Sequence, residues 1–226
     1  MAIKPILFNT EMVRAILDGR KTCTRRVVKT RRKDACGFYV TRYSDGSFAG
    51  IYEYDEDERM FENSLIPPYK PGDILYVRET WHRYTKRVGE GGKCHLEERY
   101  GYKASIKNSE DADEPWRPSI HMPKEAARIW LRVTDVRVER LQECGNGWCL
   151  DIEKEGIVTP QNPVLYISDD AFHDALRSEF QKVWNSTIKK SDLDRYGWEA
   201  NPYVFVIEFS KIDKPEEVYT PKGDRE

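Results

Sequence analysis

The chain has 226 residues, of which 39% are hydrophobic and 12% aromatic, and this composition excludes a disordered chain. The net charge of -2 excludes a uniformly basic nucleic-acid binder, so any attraction for phosphate must come from a local cluster of Lys and Arg. No apolar run approaches the roughly 20 residues of a membrane-spanning helix, and no secretion-signal pattern opens the chain. The 5 cysteines are scattered and lack the paired spacing of a zinc site. We therefore expect a cytoplasmic protein with reduced thiols, no metal and no cofactor.

The N-terminal segment predicts a strand, a helix and a second strand. Residues 3–8 are mostly apolar, and Asn9 and Thr10 are good N-cap residues for a helix whose apolar positions recur up to Leu17. Gly19 is suited to end that helix, because glycine tolerates the left-handed conformation found just beyond helix C-termini. The basic sequence DGRKTCTRR follows from Asp18 and leads into a predicted strand, Thr22–Val28.

Residues 31–68 have the composition of an inserted hairpin and loop. Two aromatic-rich runs, Gly37–Tyr43 and Ser47–Tyr54, flank an Asp-Gly pair, which is a hairpin signal. The acidic stretch that follows, up to Pro67 and Pro68, predicts a loop.

The remainder predicts further strands, a second long insertion and one late helix. Four segments have strand character: Ile74–Thr80, Arg99–Ala104, Ile129–Leu141 and Tyr203–Phe209. Residues 87–98 are polar and predict a loop within an insertion at 84–118, whereas Asp170–Trp184 has the periodicity of an amphipathic helix. We predict a mainly β fold with flanking helices (α+β), forming one domain over residues 1–213 and a charged tail at 214–226. With few helices and no βαβ alternation, we expect a small, partly closed β-barrel.

The basic turn resembles a family signature. Gly19, Lys21 and Arg26 are spaced as in the G-x-K-x-x-E-x-R signature of the ASCH domain. The blocks KPGDILYVRETW, RVTDVRVERLQ, EKEGI and NPYVFVIEF follow in the order seen in phage- and prophage-type members. The resemblance covers most of the chain and implies a PUA-like β-barrel and a link with RNA.

Thr24 stands where the general signature has Glu, and this departure brings the motif closer to one branch. Bacterial N(4)-acetylcytidine amidohydrolases are similar, with G-R-K-T-x-T at this place. Carried over residue by residue, the resemblance implies a catalytic Lys21, Thr24 and Glu155, with Glu153 as the alternative acid. We assign substrate contacts to the signature positions Gly19, Arg20 and Arg26, and to Trp81, whose ring is suited to stack on a base.

The implied chemistry is hydrolysis of an exocyclic amide. Thr24 would be the nucleophile, Lys21 would take its proton, and Glu155 would orient Lys21 or protonate the leaving amine. Arg26 would hold a carbonyl oxygen, a phosphate or the developing oxyanion. Strand alternation sets a condition on this scheme, because side chains at 21 and 24 point to opposite faces if both residues lie in one strand.

Three functions remain open at this point. The first is the amidohydrolase acting on an acylated nucleoside, and the second is a non-catalytic module that binds RNA or a modified base. The third is a phage-related adaptor whose loops contact a protein partner. Against all three stands the simpler interpretation that the cations are a solvated cluster at a helix C-terminus, where positive charge is favourable.

Overall fold

The computed structural model describes residues 1–29, 36–90, 94–106, 115–145, 150–158 and 169–216. Within them the fold is mainly β with accompanying helices, as predicted. In chain order the strands and α-helices are β1 (Ile3–Leu7), α1 (Thr10–Leu17), β2 (Cys23–Val27), β3 (Gly37–Arg42), β4 (Phe48–Tyr54), β5 (Met60–Leu65), β6 (Ile74–Arg78), β7 (Trp81–Val88), β8 (His95–Tyr102), β9 (Trp130–Arg140), α2 (Leu150–Glu153), α3 (Asp169–Thr187), α4 (Leu193–Tyr196) and β10 (Tyr203–Ile212). Among the helices in these ranges, none has the length and apolarity needed to cross a membrane.

The chain divides into two compact units. The first unit comprises Met1–Arg14, Asp73–Arg132 and Ser210–Glu226, and the second comprises Ala15–Gly72 and Val133–Phe209. The main sheet has the strand order β1-β6-β9-β10-β2, and its strands β9 and β10 each contribute residues to both units.

The first unit contains one parallel strand pair and a long hairpin. β1 runs parallel to β6, β6 pairs antiparallel with the first residues of β9, and β7 and β8 pair along their full length. Its core is a cluster of buried apolar side chains that includes Met122 and Trp130. The loop predicted at 87–98 is wrong at both ends, because Arg87 and Val88 belong to β7 and residues 95–98 to β8. The polar side chains that suggested a loop belong to an exposed hairpin. Such a hairpin lacks the alternation of apolar and polar residues by which a strand is predicted from sequence.

The second unit holds the remainder of β9, most of β10, and β2 at the sheet edge, together with α2, α3, α4 and a separate sheet β3-β4-β5. Helix α3 packs through Leu176, Phe180 and Trp184 against buried side chains that include Val204 and Val206 of β10. The hairpin predicted around Asp45-Gly46 is confirmed as β3 and β4, with Gly46 at a φ of 80°. The acidic loop predicted before Pro67 is wrong in part, because it contains β5, which pairs with β4 through a register shift.

The partly closed barrel, the two insertions and the charged tail stay predictions. In the described residues β1 and β2 are the edge strands of the main sheet, and the sheets do not close into a barrel. The predicted insertions at 31–68 and 84–118 include residues 30–35, 91–93 and 107–114, which lie outside the described residues. Most of the predicted tail, residues 217–226, lies outside them too.

Candidate functional site: the two faces of strand β2

The turn between α1 and β2 is fixed by a helix-terminating glycine. Helix α1 begins as predicted, with the Met12 amide donating to Asn9 Oδ1 at 2.8 Å. At its end Gly19 adopts a φ of 76°, and the amides of Gly19 and Arg20 donate to the carbonyls of Ile16 and Ala15. This pair of bonds is a Schellman motif, which reverses the chain within one helical turn. The motif determines the point at which the next residue, Lys21, enters the sheet region.

Lys21 and Glu155 form a buried ion pair. The two residues are joined by an antiparallel β-bridge, and the Lys21 Nζ lies 2.5 Å from Glu155 Oε2 and 3.0 Å from the Glu155 carbonyl oxygen. Both side chains are almost fully buried. Gly156 makes the close approach possible, since it has a φ of 77° and a Cβ at this position would lie 2.9 Å from the Lys21 Cβ.

Arg25 extends the ion pair into a network of side chains with alternating charges. Its guanidinium lies 3.1 Å from Glu155 Oε1 and 2.8 Å from Glu139 Oε1, and its side chain is 1% exposed. Arg137 in turn contacts Glu139 at 3.1 Å and Glu208 at 2.5 Å. The six side chains carry three positive and three negative charges, and exposure increases from Lys21 and Arg25 toward Arg137 and Glu208.

The electrostatics of this network favour the charged forms of Glu155 and Arg25. Burial disfavours the Glu155 carboxylate, but the charges of Lys21 and Arg25 outweigh burial and hold its pKa below the ordinary value. Burial likewise opposes the charge of Arg25, and Glu155 leads the neighbouring groups that nevertheless raise its pKa. Burial raises the pKa of the nearby Cys144 thiol to about 11, so Cys144 is a neutral thiol. Removing one member of such a buried pair would leave an uncompensated charge inside the protein and destabilise the fold.

Thr24 lies on the other face of β2. Lys21 and Arg25 both reach Glu155, and the Arg25 guanidinium also contacts Cys23 Sγ, so positions 21, 23 and 25 share one face. Alternation places the Thr24 side chain on the opposite face, where its register partner is Ile207 of β10. The structure brings Lys21 and Glu155 together and does not bring Thr24 to them. The catalytic role assigned to Thr24 stays a prediction.

Arg26 shares the Thr24 face and lines an open groove. The groove has a volume of about 370 Å³ and is lined by Arg26, Val27, Lys29, Leu65, Ile66, Pro68, Tyr69 and Phe205. Lys29 is exposed, and Phe205 is the direct register partner of Arg26 on β10. Burial raises the pKa of the Tyr69 phenol, and the nearby charge of Arg26 opposes that rise. A cation and a phenol ring therefore lie within electrostatic reach of each other in this groove.

The remaining predicted residues have other surroundings. Arg20 donates to the Gly156 carbonyl and pairs with Asp18 at 2.9 Å, so it fastens the segment that carries Glu155. Glu153 is exposed, in contrast to the buried Glu155. Trp81 is 4% exposed in the core cluster of the first unit, with the Arg117 guanidinium 5.3 Å from its ring centre. The substrate contacts assigned to Gly19, Arg20 and Trp81 stay predictions.

Sequence reasoning missed Arg25 and Glu139. Arg25 was one of several arginines in a basic run, and Glu139 was one of several charged positions along β9. Parity was the available signal, because Lys21, Cys23 and Arg25 are separated by two residues each and must share a face if the strand extends to Lys21. No periodicity indicates that a long-range partner such as Glu139 completes the network.

Comparison of the chain with protein-family models, with curated proteins and with solved structures found no match. The described residues also contain no cluster of three or more His, Cys, Asp or Glu side chains arranged to hold a metal ion.

Proposed function

We propose that this protein is an ASCH-type, PUA-like binding protein that holds a nucleotide unit of single-stranded RNA, or a nucleoside, in the groove beside β2. The observation that carries the proposal is the combination of Arg26 and the exposed Lys29 with the partly exposed ring of Tyr69 around one open cavity, whose lining also includes the buried side chain of Phe205. Single-stranded nucleic-acid sites combine cations that follow the backbone with aromatic rings on which bases stack. The volume of about 370 Å³ lies in the range typical of small-ligand sites.

The chemistry of the groove suits an anionic, partly flat ligand. Arg26 presents a planar fork of donors that matches phosphate oxygens, and Lys29 adds a second positive charge at the exposed end of the strand. Ile66 is 76% exposed and Pro68 is also exposed, so apolar surface is available beside these cations. A net charge of -2 for the whole chain means that attraction for RNA has to come from such a local site.

Fluorescence anisotropy with a labelled ten-nucleotide poly(U) strand tests the binding function. We expect binding that weakens with salt, with a slope of about -0.7 per phosphate neutralised. Arg26→Ala should weaken binding about tenfold. It should also reduce the slope of log affinity against log salt concentration by about 0.7, as expected for the loss of one phosphate contact. The matched control is Arg59→Ala, since the Arg59 side chain is 78% exposed in the acidic turn of the same unit. Absence of salt-dependent binding by the folded protein, or equal losses in both variants, would reject the proposal.

Amide hydrolysis is the second candidate, because two of the three residues that the resemblance implies, Lys21 and Glu155, are in contact, while Thr24 lies on the opposite face. The reaction would release acetate and cytidine from N(4)-acetylcytidine by addition of water to the acetyl carbonyl. Chromatography of the products tests it, with Lys21→Ala and Thr24→Ala as variants and Glu153→Gln as the exposed control. Turnover that disappears in the first two variants and persists in the third supports hydrolysis. A well-folded wild-type protein that releases no cytidine excludes it for this substrate.

A further inference from the structure

The outward face of the β3-β4-β5 sheet carries a group of three tyrosines. Along β4 the side chains alternate clearly, with Ile51 and Glu53 buried and Tyr52 and Tyr54 partly exposed. Tyr39 of β3 is the register partner of Tyr52, and its ring centre lies 4.6 Å from that of Tyr54. We call Tyr39, Tyr52 and Tyr54 the tyrosine platform. Its members lie on one side of the sheet, opposite the side on which Ile51 and Glu53 are buried.

Two glycines make room for the rings of the platform. A Cβ at Gly37 would lie 2.2 Å from the Tyr54 hydroxyl oxygen, and a Cβ at Gly50 would lie 3.2 Å from the ring of Tyr52. The Tyr54 ring therefore lies across Gly37 of the neighbouring strand β3, whereas the Tyr52 ring lies beside Gly50 of its own strand, and a side chain at either glycine would crowd the ring. The planes of the Tyr39 and Tyr54 rings are inclined at 34° to each other, and Tyr39 keeps 39% of its surface exposed. Met60, the register partner of Tyr54, is 55% exposed and extends the apolar area.

An acidic turn borders the platform. The turn between β4 and β5 is built on Asp55, whose Oδ1 accepts from the amides of Asp57 and Arg59 at 3.0 and 2.9 Å. Asp55 is thus used internally, whereas Glu56, Asp57 and Glu58 are exposed. Arg59 is the one cation among residues 55–59 and lies 3.5 Å from Asp57, with both side chains largely exposed. Burial first, and then nearby groups that include Tyr39 and Glu58, raise the pKa of the Tyr54 phenol.

We propose that the tyrosine platform and its acidic turn form a docking surface for an arginine-rich segment of a partner protein. The faces of aromatic rings carry negative potential and attract guanidinium groups, which also stack on them. Carboxylates at the border add attraction for the same cations and speed the encounter with a basic partner. The two features favour one kind of ligand, and they lie side by side on one sheet.

The same geometry disfavours nucleic acid on this face. Bases stack well on tyrosine, but the phosphates attached to them would approach Glu56, Asp57 and Glu58, and like charges repel. The groove and the platform therefore select ligands of opposite charge. The platform proposal rests on the tyrosines and the acidic turn, and it stands whether or not the groove binds RNA.

Fluorescence anisotropy with a labelled peptide of alternating arginine and serine, ten residues long, tests the docking surface. Tyr39→Ala should weaken binding by about three- to fivefold, whereas Tyr39→Phe should retain it within about twofold because the ring remains. Tyr43→Ala is the matched control, since Tyr43 is a 64% exposed tyrosine at the far end of the same hairpin from the acidic turn. The double variant Glu56→Gln, Asp57→Asn should bind the peptide more weakly than the wild type does. The difference in affinity between the two should grow as the salt concentration is lowered, because screening of the carboxylates decreases.

Three results would overturn the proposal. These are no binding of the arginine peptide by the folded protein, equal losses in Tyr39→Ala and Tyr43→Ala, and equal binding of a glutamate-serine peptide of the same length. Binding of the poly(U) strand that is lost in Tyr39→Ala would instead assign this face to nucleic acid and also contradict the proposal. Circular dichroism of each variant confirms that the sheet is folded before binding is compared.

Discussion

The two faces of β2 show how one basic run is divided between two physical tasks. On one face Lys21 and Arg25 are buried and share the carboxylate of Glu155. On the other face Arg26 lines an open groove, and the exposed Lys29, two residues beyond the strand, lines it too. Neighbouring residues of the same type therefore differ completely in their surroundings. A cation on the first face is paired with a buried carboxylate, whereas Arg26 on the second face lines an open groove.

This division changes the meaning of the motif. In a strand, residues one position apart point to opposite faces, so a compact signature in the sequence is not a compact site in the structure. The buried face holds the carboxylate of Glu155, and we propose that the groove face binds an anion. Changes on the buried face should therefore act on stability, and changes on the groove face should act on binding.

The largest expected effect is on the buried face. Glu155→Gln removes the charge that both Lys21 and Arg25 face, which should lower the free energy of unfolding by about 3–5 kcal/mol. Urea unfolding followed by tryptophan fluorescence measures this change. The matched control is Glu153→Gln, an exposed position two residues away, for which we expect a change within about 0.5 kcal/mol. Similar losses in both variants would show that the buried pair contributes little.

Acid should reproduce part of this loss. The folded-state pKa of Glu155 lies below its ordinary value of 4.5, so the stabilisation from its charge is complete above pH 4.5 and is lost as the pH falls through the folded pKa. We expect the difference in unfolding free energy between wild type and Glu155→Gln to shrink as the pH falls below 4.5. Urea unfolding over a pH series measures it. A difference that stays constant or widens in acid would mean that Glu155 is not the ionised partner.

A smaller effect is expected at the turn that leads to Lys21. Gly19→Ala places a side chain at a φ of 76° and should cost about 1–2 kcal/mol, although no atom within 4 Å of the added Cβ obstructs it. Gly19→Asn should cost less, because asparagine tolerates the left-handed conformation. Thermal unfolding compares the two variants. An alanine variant as stable as the wild type would show that the Schellman motif does not constrain the turn.

Local signals predicted much of the second unit and the start of the first. The Asn9 cap, the Gly19 terminus, the Asp45-Gly46 hairpin and the amphipathic helix α3 depend on neighbouring residues, and each is present in the structure. Strand β5 was missed because its identity depends on pairing with β4, and its own residues do not alternate in polarity. For the hairpin β7-β8 the sequence predicted the last residues of β8 as a strand, but it predicted neither β7 nor the start of β8, for the same reason.

The site was predictable in part. The resemblance indicated Lys21 and Glu155, and the structure brings them together. Arg25 and Glu139 were not predicted, because their meeting depends on how β9 lies in the sheet. Thr24 was the nucleophile in the mechanism predicted from the sequence. Strand alternation already implied that its side chain would point away from Lys21 if both residues lay in one strand. No local signal decides whether Lys21, two residues after the glycine, joins the strand; in the structure β2 begins at Cys23, and Lys21 pairs with Glu155 in an isolated bridge.

The central claim is that the two faces of β2 perform separate tasks, and adjacent arginines test it most directly. Arg25→Met and Arg26→Met make the same chemical change on opposite faces, and each variant is measured by urea unfolding and by poly(U) anisotropy. We expect Arg25→Met to lose about 3 kcal/mol of stability while it binds RNA as the wild type does under folding conditions. Arg26→Met should lose about tenfold in affinity and less than about 1 kcal/mol in stability. Losses of both properties in both variants, or the reverse assignment, would contradict the claim.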